Sequence, residues 1–330
     1  MNEKILATLK SSDTDDWVDI HIVRPLAYYF AVFFAKFDMH PNTVTIWSMI
    51  IGAISGYFFL HGSFYYEGTW GLAYNIIGLS FLLLADVLDC ADGQLARLTH
   101  KSSRIGRILD GLAGYPWYIS IYVAMCFRLY HYHSLEFSFF GIPDTETNAL
   151  ICGWVTCAIG CLSGFVCMAT QSSIADYYIQ AHLFFLKGEK GSELDNSMAQ
   201  QKEYDSTPWK GNRLWKIFQM NYITYTKRQE ARTPEFQRLM ALLTRKYGSI
   251  DNVPTELRQQ FLTTSKTILP WNGMLTFNFR TFGVFTLILL DLPLLGYAFE
   301  IVALSILAYF VISRHESLCR TLSAKIEFDK

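Results

Sequence analysis

Charged residues are scarce in this chain. They make up 17% of its 330 residues, where an ordinary soluble domain carries roughly a quarter. An excess of one sign is also missing: the formal net charge is −1, which excludes the basic field a nucleic-acid partner requires. The N-terminus lacks the character of a secretory signal, because Asp13, Asp15, Asp16 and Asp19 precede the first apolar stretch. No signal cleavage is expected. Cysteines number seven, yet Cys152, Cys157, Cys161 and Cys167 share one apolar stretch and Cys126 sits in another. Such thiols read as small core hydrophobes, with neither a disulfide framework nor a zinc-site spacing. Internal repeats and low-complexity tracts are absent too.

What the chain has in abundance is apolar sequence, at 51%. Windows of about 20 apolar residues predict six spans, at 43–62, 70–91, 106–130, 149–171, 274–292 and 298–314. Pro25–Phe37 is apolar and aromatic but too short to cross, so it reads as a helix lying in the membrane interface. The fold class expected is therefore all-α: a polytopic membrane protein of six transmembrane helices plus an N-terminal interfacial helix. If the N-terminus is cytoplasmic, the outer loops are 63–69, 131–148 and 293–297, and none holds a Lys or Arg. That asymmetry satisfies the positive-inside rule and puts the opposite loops on the cytoplasmic face.

Four segments follow from this reading. Residues 1–40 form a cytoplasmic N-terminus with the interfacial helix, and 41–186 a membrane core. Residues 187–270 form a cytoplasmic insertion, and 271–330 the last two spans and a C-terminal tail. Gly188, Gly191 and Asn196 give the insertion an irregular start, while Phe236–Tyr247 and Thr255–Ser265 have helical spacing. Trp209 and Trp215 interleave there with Lys210, Arg213, Lys216, Lys227 and Arg228. Two readings of that mixture stand side by side: contact with anionic headgroups, or a small solvated helical subdomain.

The chemistry concentrates in one polar stretch, DVLDCADGQLARLTHKSSRIGRILDGLAGY from Asp86. Asp86, Asp89 and Asp92 recur every three residues and share a helix face. Asp110 lies one turn into the next apolar segment. An ionised Asp in hydrocarbon costs about 2.5–3.5 kcal/mol even on insertion scales, so several at one depth need a counter-charge. Oxygen ligands without His or Cys select hard ions, here Mg²⁺ or Mn²⁺. Acids from two helices suit a pair of ions and phosphoryl transfer. Gly93 and Gly106 permit close approach by a ligand, and Arg97, Arg104 and Arg107 can pair with phosphate oxygens.

Asp89, Asp92, Gly93, Ala96, Arg97, Gly106 and Asp110 stand at the spacings of a known signature, with eight residues between Arg97 and Gly106. In these residues the chain resembles the CDP-alcohol phosphotransferase family. Pro41-Asn42-Thr43-Val44-Thr45 is similar to the family's Pro-Asn-x-x-Thr element. The resemblance is close over about residues 40–130, whereas the insertion departs from the minimal family plan.

The resemblance implies an enzyme of phospholipid biosynthesis that binds a CDP-linked donor at the cytoplasmic membrane face. It would transfer a phosphatidyl or phospho-alcohol group to an acceptor alcohol and release CMP. Asp89, Asp92 and Asp110 would ligate two Mg²⁺ or Mn²⁺ ions. Asn42, Thr45, Gly93, Ala96, Arg97, Ser103 and Gly106 would contact the donor. The implied donor is CDP-diacylglycerol and the implied acceptor an inositol phosphate or other polyol, with Arg104, Arg107 and Arg280 on the acceptor side. The same site could instead move a headgroup from a CDP-alcohol to diglyceride or ceramide. Partners are membrane lipids and a second copy of the chain in a homodimer, with no nucleic acid.

One position departs. The last Asp of the signature, general base and second-metal ligand in the family, is Gly114 here. Three accounts are open. Asp86 replaces it in the catalytic role, a phosphorylated acceptor deprotonates its own hydroxyl, or the chain is an impaired CDP-lipid-binding member. Elsewhere, Arg128 reads as a span boundary and Asp291 as a loop acid. Asp176, Tyr177 and His182 read as helix-surface polarity.

Overall fold

A computed structural model describes residue 14, residues 16–132 and residues 135–328, and for Arg104, Ile105, Arg107 and Ile108 the backbone only. The described residues form helices and no strand. In chain order these are α1 (Arg24–Lys36, entered through a π-helical turn Asp19–Val23), α2 (Pro41–Leu60), α3 (Thr69–Thr99), α4 (Arg104–Leu112), α5 (Gly114–His131) and α6 (Glu146–Cys161). A π-helical stretch, Leu162–Met168, leads into α7 (Ala169–Lys187). Then follow α8 (Ser197–Ser206), α9 (Arg213–Arg232), α10 (Pro234–Tyr247), α11 (Thr255–Gly273) and α12 (Phe277–Leu289). Last come α13 (Pro293–Ala298), a π-helical Phe299–Ala303 and α14 (Leu304–Phe328).

Among the described residues, four helical segments are long and apolar enough to cross a membrane: Pro41–Leu60, Thr69–Thr99, Glu146–Lys187 and Pro293–Phe328. The expected third and fifth spans are helical but shorter. The third is interrupted at Ala113, between α4 and α5, and the fifth, α12, has 13 residues.

The chain divides into two compact units. The first runs through Ala169 and includes Phe277–Ala303. Its α2 begins on Pro41 at the first helical position, with His40 as N-cap, the preorganised helix start that proline favours. Small residues then let α2 approach α5 closely. A Cβ on Gly52 would fall 2.0 Å from the Trp117 ring, and one on Gly56 would meet Ser120. Trp117 Nε1 donates to the Ser48 carbonyl at 2.8 Å and Ser120 Oγ to that of Ala53 at 2.6 Å. A core of Phe59, Leu82, Trp117, Ile121, Met125, Phe285 and Tyr297 fills the centre.

The three loops that lack Lys and Arg meet at one end of this unit. Asp291 pairs with Arg128 and accepts from Ser63 Oγ at 2.8 Å and Tyr65 N–H at 2.9 Å. Arg128, 1% exposed, also donates to Asn75 Oδ1 at 3.0 Å and the Phe59 carbonyl at 3.2 Å. Glu136 accepts from the N–H groups of Leu294 and Leu295 at the start of α13, at 2.9 and 3.2 Å. Neither a span boundary nor a loop acid describes Arg128 and Asp291: they form a buried ion pair.

The second unit comprises Thr170–Thr276 and Leu304–Lys330. Phe185 and Phe261 stack at 3.8 Å in its core, beside Phe236. Gly188 at φ 78° and Asn196 as N-cap of α8 give the irregular start. Lys216 is turned inward, 4% exposed, and donates to the carbonyls of Tyr204 at 2.7 Å and Thr207 at 2.8 Å. The Tyr204 ring lies 3.9 Å from its ammonium, so this lysine is a packing element and offers nothing to headgroups.

Arg128→Met strands the Asp291 carboxylate in a buried site, which costs about 3–5 kcal/mol. Thermal unfolding in detergent should show a large fall in midpoint. Adding Asp291→Asn should recover much of it, since asparagine tolerates the positive φ (62°) of that position.

Candidate active site

Asp89 and Asp92 lie near the C-terminal end of α3, which continues past the expected span limit to Thr99. Past Asp92 and Gly93, the good helix formers Gln94 to Leu98 carry it on. His100 ends the helix in the left-handed conformation, φ 54°. Three residues later Ser103 starts α4 by accepting the Gly106 N–H at 2.9 Å, an N-cap that fixes the new helix direction. Lys101 pairs with Asp38 at 2.5 Å, tying this link to the turn before α2 and holding the exposed Asp38 carboxyl below its ordinary range.

The turn brings Asp110 of α4 back to α3. Oxygens of Asp89, Asp92 and Asp110 lie within 4.8 Å of one another, with Asp92 buried, Asp89 half-buried and Asp110 exposed. Three like charges at that separation repel by about 3 kcal/mol per pair at an effective dielectric near 20. Thr45 of α2 donates its hydroxyl to Asp92. Asp89 Oδ1 and Asp86 Oδ2 are buried oxygens with no hydrogen-bond partner among the described residues. Acceptors without donors, all of them hard oxygens, fit a divalent cation. These three aspartates can hold one.

Of the other residues expected to form the site, Asn42 stands against Gly106: a Cβ there would lie 2.8 Å from Asn42 Oδ1 and 3.0 Å from Ser103 Oγ. The Arg97 guanidinium lies over Gly93, 3.4 Å from where its Cβ would be. Ala96 is half-buried one residue before Arg97. The Arg104 and Arg107 side chains lie outside the described residues. Gly114 opens α5, and a side chain there would meet open space. Asp86 is 9% exposed, one turn along α3 from Asp89.

Arg280 is drawn into the interior instead. It is 1% exposed and pairs with Glu300 Oε1 at 2.8 Å. Glu300 Oε2 accepts in turn from the Tyr122 hydroxyl at 2.7 Å and from Ser163. Two π-helical stretches of this unit, Leu162–Met168 and Phe299–Ala303, contribute to that knot. The guanidinium is thus committed to a carboxylate and is no exposed phosphate ligand.

Sequence reasoning missed the N-terminal contribution. Asp16, Asp19 and Arg24 act electrostatically on Asp86, and Arg24 on Asp89 as well. Asn278 donates to Asp16 and Asp19 at 2.9 Å each. The α1 backbone is anchored to α3 by Gln94, whose amide donates to the Arg24 carbonyl at 3.1 Å. Ala27, Ala31 and Phe34 pack on the turns of α3 that carry the acids. The one available signal was Arg24 itself, a lone cation at the head of an apolar helix.

Residues 38–185 match the family model described as CDP-alcohol phosphatidyltransferase. The match covers a little under half of the 330 residues and contains every acid of the site. In this stretch the chain is similar to that family, whose members are phosphotransferases of membrane phospholipid synthesis acting on CDP-alcohols. Comparison with curated proteins and comparison with solved structures each return no significant match.

Thr45→Val keeps the shape of the side chain and removes the hydroxyl that orients Asp92. Loss of such an outer contact weakens metal binding about 10–100-fold. Calorimetric titration of the purified protein with Mn²⁺ measures it, and an unchanged affinity would remove Asp92 from the ligand set.

Proposed function

We propose that the chain transfers a phosphatidyl group from CDP-diacylglycerol to a polyol acceptor such as an inositol phosphate, releasing CMP. The convergence of Asp89, Asp92 and Asp110 on one point carries the reading. These residues would hold Mg²⁺ or Mn²⁺, which when bound supplies positive charge to the donor diphosphate and the departing CMP. Gly93, Ala96, Arg97, Asn42, Ser103 and Gly106 take the cytidine diphosphate side, where the lack of a side chain at Gly106 lets Asn42 and Ser103 pack against the α4 backbone. Arg104 and Arg107 take the acceptor side.

The acceptor hydroxyl oxygen attacks the phosphorus that bears the lipid, the bond from that phosphorus to the CMP oxygen breaks, and the hydroxyl proton must go to a base. Asp86 is that base in our reading. It is buried, it has an oxygen without a hydrogen donor, and it lies one turn from Asp89. The vacancy at Gly114 opens the alternative of an impaired donor-binding protein.

Six crossings, a cytoplasmic site and a homodimer complete the proposal. Its topology is supported by the meeting of the three Lys- and Arg-free loops through Asp291 and Glu136, since loops of one membrane side can reach one another.

The test is CMP release by the purified protein with CDP-diacylglycerol or CDP-alcohols, a panel of acceptors, and Mg²⁺, Mn²⁺ or chelator. Metal-dependent CMP is expected, and its absence from every pair would establish the binding-protein alternative. Asp86→Asn should lower turnover by about 10²–10⁴-fold, the usual contribution of a general base. Gly114→Asp should raise turnover of the unmodified chain with little change in donor affinity, and should restore part of the activity lost in Asp86→Asn. If Gly114→Asp leaves turnover flat or lower under saturating metal, the idea of a vacant base position fails.

A further inference from the structure

The second unit contains a cluster that the proposed reaction does not use. His315, Glu316 and Cys319 lie on consecutive turns of α14, and one ligand atom of each falls within 4.8 Å of the others. All three are buried, at 2%, 8% and 0% exposure. The His315 ring is clamped by Tyr178, stacked at a centroid distance of 3.8 Å, and by the edges of Phe236 and Phe261. Clamping of that kind fixes a ring in place before anything binds.

Two observations point to a ligand. Glu316 Oε2 accepts the Glu235 N–H at 2.6 Å, at the start of α10, while Oε1 is buried with no hydrogen-bond partner among the described residues. A carboxylate oxygen in that position loses its hydration and has no hydrogen-bond donor of its own in exchange. The second observation is spacing. His315 Nδ1 and Cys319 Sγ are 3.6 Å apart, and two such atoms bound to a tetrahedral Zn²⁺ at 2.0–2.3 Å are about 3.5 Å apart.

We propose that His315, Glu316 and Cys319 form a site for a borderline divalent cation of the zinc class. One nitrogen, one sulfur and one oxygen are the donor set Zn²⁺ favours, unlike the all-oxygen set of Asp89, Asp92 and Asp110. Binding deprotonates the Cys319 thiol and releases that proton to solvent. The neutral imidazole carries its own proton on Nε2, and the fourth corner falls to a non-protein ligand such as water. Through Glu316, which also accepts the Glu235 N–H, the ion would join α14 to the head of α10. The i, i+1, i+4 spacing corresponds to no zinc signature, so the sequence alone gave no reason to single these residues out.

The test uses the full chain in detergent, stripped by chelator and titrated with Co²⁺. A thiolate-to-cobalt charge-transfer band is expected at about one ion per chain. It should persist in Asp110→Asn and Cys167→Ser, and fall at least about tenfold in Cys319→Ser. Because the band requires a thiolate ligand, it separates this site from the aspartates and is independent of activity. No band in the unmodified protein, or an equal band in Cys319→Ser, overturns the proposal. Should Cys319→Ser fail to fold, Glu316→Gln, which keeps an acceptor for the Glu235 N–H, must weaken Co²⁺ affinity, and unchanged affinity counts against the site.

Discussion

A charge placed in an apolar interior must find its compensation within the protein, and the first unit is organised around that constraint. Arg128 meets Asp291, and Arg280 meets Glu300, with hydroxyls and carbonyls taking up the remaining donors and acceptors. Removing one member of such a pair costs far more than the pair contributes, because the partner is left buried and uncompensated. Arg128–Asp291 joins residues 163 apart, and Glu300 reaches back to Tyr122 and Ser163, so these contacts also define which helices can be neighbours.

The aspartate cluster breaks the same rule. Asp89, Asp92 and Asp110 repel one another, and buried oxygens of Asp86 and Asp89 lack donors. A unit that pairs Arg128 with Asp291 and Arg280 with Glu300, yet gathers acids here, has left room for a cation to complete the arrangement. Thr45 and the α1 segment hold the acids in place, while the glycines at 93 and 106 let Arg97 and Asn42 pack close beside them. The local fold thus maintains an electrostatic deficit that a metal-bound diphosphate would relieve.

Much of this was legible before any coordinates. The acids at 89, 92 and 110 could be read as a converging set because their spacing follows helix geometry, and the all-helical, membrane-like class followed from apolar run lengths. The helices expected over Phe236–Tyr247 and Thr255–Ser265 fall within α10 and α11. What escaped were partners chosen in three dimensions. Nothing in one dimension joins Arg128 to Asp291 or brings Arg24 to Asp86. Arg280 looked available for a phosphate because Glu300 sits in a separate apolar run. The apolar window 70–91 stops short of the end of α3 at Thr99, since a window that stops at charged residues does not follow a helix continuing through them.

The Arg128–Asp291 pair also has a bearing on how the chain is made. Its members are 163 residues apart, and at synthesis rates of 5–20 residues per second the arginine leaves the ribosome roughly 10–30 s before its carboxylate exists. During that interval α5 cannot take its final place without burying an uncompensated guanidinium. Assembly of the first unit is therefore a late event: its middle helix waits for the Asp291 turn, by which time nearly all of the second unit's helices have already been synthesised.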